Sequence, residues 1–148
     1  MQSREQIKAL VQEMFDAFAD NDDKGMRNFE RILAPMSEDL EYEIPFRPQP
    51  VVLRGVEAFR EFIQSTNGIF AGTVYFTRNI FVDEIAQTAI AEVSSRRDIL
   101  STKEELWLKY VFVFEFKEAK IARFREYAYS PDLQKLADAM KVPTSMTD

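Results

Sequence analysis

An α+β fold, with helices segregated onto one face of a mixed or antiparallel sheet, follows from the order and periodicity of the apolar residues. Residues with helical spacing fill the first third of the chain, and residues alternating in twos fill positions 73 to 129. At 148 residues the chain has the length of one ordinary domain, and one domain over residues 1–148 is expected. Hydrophobic residues make up 46% and charged residues 30%, which fits a packed core rather than a disordered chain.

The first helix opens at Ser3, with Gln6 at the reciprocal capping-box position. Ile7, Leu10, Val11, Met14, Phe15 and Phe18 then form one apolar stripe, which stops in Asp20-Asn21-Asp22-Asp23. A shorter helix carries Met26, Phe29, Ile32 and Leu33 and ends before Pro35, because the residue ahead of a proline resists helical angles. Leu40 to Phe46 alternates as a strand, and Val51 to Leu53 forms a brief second one. Gly55 leads into a third helix bearing Val56, Phe59, Phe62 and Ile63, closed by Asn67-Gly68. Four long strands follow, at about 73–83, 87–100, 104–117 and 120–129, in a strongly twisted meander. Ser130-Pro131 predicts a cap and a first helical proline for a last helix over 131–140.

Composition removes several chemistries. Without Cys there is no disulfide, thiolate nucleophile or cysteine metal site, and without His there is no imidazole base or histidine ligand. A net charge of −6 with no basic run argues against nucleic acid and anionic membranes. No apolar stretch approaches the length of a membrane span, and the charged N-terminus has no signal core, so a cytoplasmic location is expected. Asp20 to Gly25 looks faintly like a calcium loop, but Ile32 stands where the closing Glu belongs, so it reads as a turn. No metal and no cofactor is expected.

Strand parity nominates the site. On the last strand Ala122, Phe124, Glu126 and Ala128 share a face, which looks like a pocket wall with a single carboxylate. On the strand before it Leu106, Leu108, Tyr110, Phe112, Phe114 and Phe116 form an aromatic face able to line a cavity or to be plain core. A buried carboxylate needs a partner, a proton or water. The candidate partner stretch is Ser94-Ser95-Arg96-Arg97-Asp98, with Arg96 and Asp98 on one face and Ser95 and Arg97 on the other. That strand lies two away from Glu126, about 10 Å between backbones. A one-residue slip would send Arg96 and Asp98 to solvent and Arg97 inward.

The element order, together with Ser37-Glu38-Asp39, Arg54 to Phe59 and Lys120 to Tyr127, resembles the nuclear-transport-factor-2-like superfamily from Ile7 to Met140. Ketosteroid isomerase, SnoaL-like polyketide cyclases and limonene epoxide hydrolase share that cone-shaped fold, whose strongly curved sheet encloses a pocket with helices on its concave face. The resemblance implies a cofactor-independent acid/base enzyme for a small hydrophobic molecule. Arg-x-Asp on one strand and an acid after Phe-Arg on the last resemble the epoxide hydrolase. On that likeness Arg96 holds two carboxyl groups in different roles, Asp98 is the acid and Glu126 the base.

Phe15, Glu43, Leu108, Tyr110, Phe112 and Phe124 complete the expected substrate-contacting set. The hydrolase's water-positioning Tyr and Asn correspond to Glu41 and Glu43 here. The positions matching the ketosteroid isomerase machinery, Met14, Phe112 and Ile44, are all apolar. A polyketide-cyclase-like reaction needs only one carboxylate, Glu126 or Asp98, with Tyr110. A non-catalytic binding or dimerisation module remains the other class. The apolar outer faces carrying Trp107, Val111, Val113, Tyr127 and Tyr129 suggest a homodimer through the sheet.

Overall fold

The computed structural model describes residues 1–45, 49–130 and 132–140. Helices α1 (Arg4–Ala19) and α2 (Phe29–Leu33) precede strands β1 (Met36–Ile44) and β2 (Val51–Arg54) and helix α3 (Val56–Ser65). Four long strands follow, β3 (Phe70–Asp83), β4 (Thr88–Ile99), β5 (Glu105–Lys117) and β6 (Lys120–Tyr129), and then α4 (Leu133–Met140). The strands form one open, curved, six-stranded sheet in the order β2-β1-β6-β5-β4-β3. The β1–β6 pair is parallel and the others are antiparallel, so the sheet is mixed.

Local chemistry sets the ends of the elements. Ser3 Oγ accepts from the Gln6 amide at 3.2 Å while the Ser3 amide donates to Gln6 Oε1 at 2.7 Å, closing the capping box on α1. The helix ends at Asp20, and Asp22 Oδ1 accepts from the amides of Lys24 and Met26, both at 2.9 Å. That carboxylate closes an Asx-type turn. Asn28 caps α2, so Met26, expected within that helix, lies before it and is exposed. The strand expected from Leu40 begins at Met36, where β1 already pairs with Ile121 of β6. A register shift between Met36 and Glu41 hides that start from an alternation count. Phe46, Pro131 and residues 46–48 of the proline-rich crossing lie outside the described residues.

The inner face of the sheet holds the core. Ala89, Ala91, Val93, Ser95 and Ile99 of β4, the even positions from Leu106 to Phe116 of β5, and Phe124 of β6 are all buried. Helix α1 covers this face on the β3 side and α3 covers it over β1. A bulge between Glu115 and Phe116 brings Ile121 opposite Phe116, so Ile121 is buried although strict alternation groups it with Arg123. Further register shifts in β3 add local bends, which is how a long strand follows a curved sheet.

Candidate functional site

One cavity of about 110 Å³ opens between the inner face and helices α1, α3 and α4. Its walls are apolar and aromatic: Leu108, Tyr110 and Phe112 from β5, Phe124 from β6, Phe59 and Phe62 from α3, and Leu136 from α4. Edge-to-face packing of Phe59 against Tyr42 and Phe124, with centroids 5.1 and 5.6 Å apart, fixes one end of the wall. The cavity is smaller than the ~150 Å³ space that holds benzene, so it admits only a small molecule as it stands.

Glu126 lines this cavity, because it pairs in register with Phe112 across the β5–β6 ladder and therefore shares its face. Tyr42 donates its hydroxyl proton to Glu126 Oε1 at 3.0 Å. Tyr42 shares the parity of Leu40 and Ile44 and is 4% exposed, so the alternation of β1 turns it inward.

The guanidinium that β4 turns into the cavity belongs to Arg97, not to Arg96. Arg97 sits opposite Leu106, which is fully buried, and Arg96 sits opposite Trp107 on the outer face. Arg97 Nη2 donates to Ser95 Oγ at 2.9 Å, to the Tyr110 hydroxyl at 3.1 Å and to the Tyr75 hydroxyl at 3.4 Å. Its guanidinium carbon lies 5.2 Å from the Phe70 ring centroid and 5.7 Å from that of Tyr75. Burial alone would lower its pKa, but Tyr110, Tyr75 and Glu126 outweigh that and hold it above its ordinary value. Burial pushes the Tyr110 hydroxyl well above the usual phenol value, more than Arg97 pulls it down. Tyr110 is therefore a protonated donor at neutral pH.

A second guanidinium, Arg27, reaches the cavity from the loop before α2. Its Nη2 donates to Ile63 O at 2.7 Å and to Thr66 Oγ1 at 2.5 Å, and its Nε donates to Asn67 Oδ1 at 3.3 Å. Desolvation lowers its pKa from the ordinary value, as expected for a cation with neutral partners. Gly25 makes this loop possible. Its φ is +75°, and a Cβ there would sit 2.4 Å from Phe70 O.

The remaining expected residues fall elsewhere. Arg96 binds Asp98 Oδ1 at 3.0 Å and Glu105 Oε2 at 2.9 Å on the outer face, remote from the cavity lining. The buried set Ala89, Ala91, Val93, Ser95 and Ile99, rather than the charged pair, decides which side of β4 faces in. Glu43 also points outward and pairs with Arg123 at 3.0 Å, following the parity of Glu41 rather than that of Tyr42. Phe15 packs behind the wall against Phe112 and Tyr75, with centroids 5.1 and 5.4 Å apart, and does not line the cavity. Leu108, Tyr110, Phe112, Phe124 and Glu126 line it. The expectation missed Arg97, Tyr42, Tyr75 and Arg27. Parity with buried neighbours would have found the first two, but no periodic signal marks a loop residue such as Arg27.

Among the described residues there is no cluster of acidic side chains able to hold a metal, and no helix long and apolar enough to cross a membrane. The family model for the SnoaL-like domain matches residues 11–124. No curated protein sequence matches the chain. A provisionally assigned isomerase of Bacillus subtilis superposes with a TM-score of 0.78 at 16% identity, over 97% of this chain and 98% of that one. The BvnE pinacolase of Penicillium brevicompactum gives 0.74 at 15% identity, over 97% and 98%. An LEH-like epoxide hydrolase of M. tuberculosis gives 0.68 at 17% identity, over 93% and 90%. At these identities the likeness establishes the fold alone.

Proposed function

The chain belongs to the SnoaL-like family of the nuclear-transport-factor-2-like superfamily, and from that premise we propose that it is a cofactor-independent proton-transfer enzyme for a small carbonyl compound. Glu126 carries the proposal, as the one carboxylate among the described lining residues, held by Tyr42 beside an aromatic wall.

In this reading the Glu126 carboxylate takes a proton from the carbon next to a substrate carbonyl. The C–H electron pair moves into the C–C bond, and the carbonyl π pair moves onto oxygen to give an enolate. Tyr110, kept protonated by burial, donates to that oxygen, and Arg97 supports Tyr110 through Nη2. Where the substrate also holds a C=C next to the deprotonated carbon, the enolate extends into a dienolate and Glu126 returns the proton to its far carbon, which is an isomerisation. In a cyclisation the enolate carbon attacks a second carbonyl instead, whose π pair moves onto its oxygen, and that alkoxide takes the proton back from Glu126. Asp98 and Arg96 take no part in this reading, and among the described residues lining the cavity there is no second carboxylate to serve as the acid in epoxide hydration. This chemistry is closer to the polyketide-cyclase and isomerase relatives than to the epoxide hydrolase.

Deuterium incorporation into butan-2-one and cyclopentanone in D₂O, followed by proton NMR, tests the reading against diol formation from small epoxides. Exchange faster than buffer, without diol, supports proton transfer. Diol without exchange overturns it.

A second reading is a binding module without chemistry. It is favoured by the internal partners that Tyr42, Arg97 and Tyr110 already have, as in a static polar core. We also propose a homodimer through the outer sheet face. There Trp107 stacks on Phe76 at 5.9 Å, and Val111, Tyr127 and Tyr129 are exposed beside charges of both signs, Glu92 and Lys109. A two-fold-related copy can set each charge against its opposite.

A further inference from the structure

We infer that the ligand of this cavity is a small monocarboxylate, its charged group seated between Arg27 and Arg97 and its apolar body against the aromatic wall. The inference rests on the cavity being the binding site proposed above, and names the class of molecule it takes.

Charge is the first argument. Among the described residues two guanidinium groups line the cavity against one carboxylate, Glu126. Among the described residues neither arginine is ion-paired, and their hydrogen bonds go to a backbone carbonyl, a side-chain amide and hydroxyls. Glu126 already favours the charged form of Arg97, whereas burial disfavours that of Arg27, so the cost of a desolvated cation falls on Arg27 and one bound anion would relieve it.

Donor geometry is the second. Arg97 Nε is sealed from solvent and donates to nothing among the described residues, while Nη2 is engaged with Ser95, Tyr75 and Tyr110. The guanidinium carbon lies over the Phe70 and Tyr75 rings, which limits its movement. Nη1 of the same fork has no bond to a described residue and is not sealed as Nε is, so it is the donor matched to a carboxylate oxygen.

Size is the third. An annex of about 20 Å³ adjoins the main cavity and shares Phe18, Arg27, Thr66, Phe70, Tyr75 and Arg97 with it. Roughly 10–15 Å³ by this measure holds one water, so the annex suits a carboxylate but is tight for a phosphate or sulfate. The larger space beside it takes a short hydrocarbon body.

The test is a titration followed by ¹H–¹⁵N NMR of the Arg97 Nε–H, assigned by its disappearance in Arg97→Lys. Butyrate and crotonate should move this resonance saturably, with crotonamide at least about tenfold weaker. Arg97→Lys, which keeps the charge but not the fork, should weaken crotonate by about tenfold in a thermal-shift titration. The acid-against-amide contrast in the unaltered protein does not depend on any variant folding. The inference is overturned if crotonamide binds as tightly as crotonate, if inorganic phosphate binds tighter than either acid, or if neither acid moves the resonance at tens of millimolar. Glu126→Gln should still bind crotonate, so loss of proton transfer and loss of carboxylate binding are separable failures.

Discussion

Tyr42 and Glu126 lie 84 positions apart in the chain and meet across the parallel β1–β6 pair, where the Tyr42 hydroxyl donates to Glu126 Oε1 at 3.0 Å. The pair joins the start of the sheet to its last strand and fixes the carboxylate at the cavity wall. Tyr42 thus positions the base rather than touching the reacting atoms. Tyr42→Phe should lower kcat about tenfold, a barrier change of about 1.4 kcal/mol, with KM little changed. Steady-state kinetics on an exchanging ketone checks this, and an unchanged kcat would remove Tyr42 from the account.

Arg96 and Asp98 carry the opposite expectation. They form a partly exposed ion network with Glu105 on the outer face, where such pairs contribute about 0–1 kcal/mol. Arg96→Gln and Asp98→Asn should shift the urea midpoint slightly and leave exchange activity within about twofold. A loss comparable to that of Glu126→Gln in either variant would contradict the assignment of Arg97 as the inward arginine.

Tyr110 predicts an alkaline instability. Burial raises its pKa in the fold, whereas the unfolded phenol titrates at about 10. Above that pH the folded chain keeps a proton that the unfolded chain has lost, so stability falls as pH rises. Below it both states are protonated and this group contributes no slope. Urea midpoints measured between about pH 9 and 11 should decline less steeply in Tyr110→Phe than in the parent protein.

The outer face predicts assembly. Light scattering should give twice the chain mass, and Trp107→Lys, which also breaks the stack on Phe76, should give monomer without loss of the far-ultraviolet spectrum. A monomeric parent protein would leave that apolar face without the proposed second copy.

Much of the fold was legible because the elements carry strong periods. The six even positions of β5 from Leu106 to Phe116 and the stripe of α1 both face the core as alternation and helical spacing require. The site was legible where it shares those periods, which is why Glu126 and Tyr110 could be placed from parity. Adjacent arginines present one guanidinium to each face, and motif similarity favours Arg96, which lies on the outer face. The buried alternation from Ala89 to Ser95 points to Arg97. Arg27 was invisible for another reason. Its place depends on the turn at Gly25 and on three acceptors near the end of α3, none of which leaves a periodic trace.

The most direct test of the central claim is the rate of deuterium incorporation into a small ketone by Glu126→Gln beside the parent protein, at matched folded fraction. The account predicts that exchange falls by at least about a hundredfold, the lower range for loss of a general base, while the thermal midpoint stays within a few degrees. Exchange retained within about threefold would show that the Glu126 carboxylate is not the base.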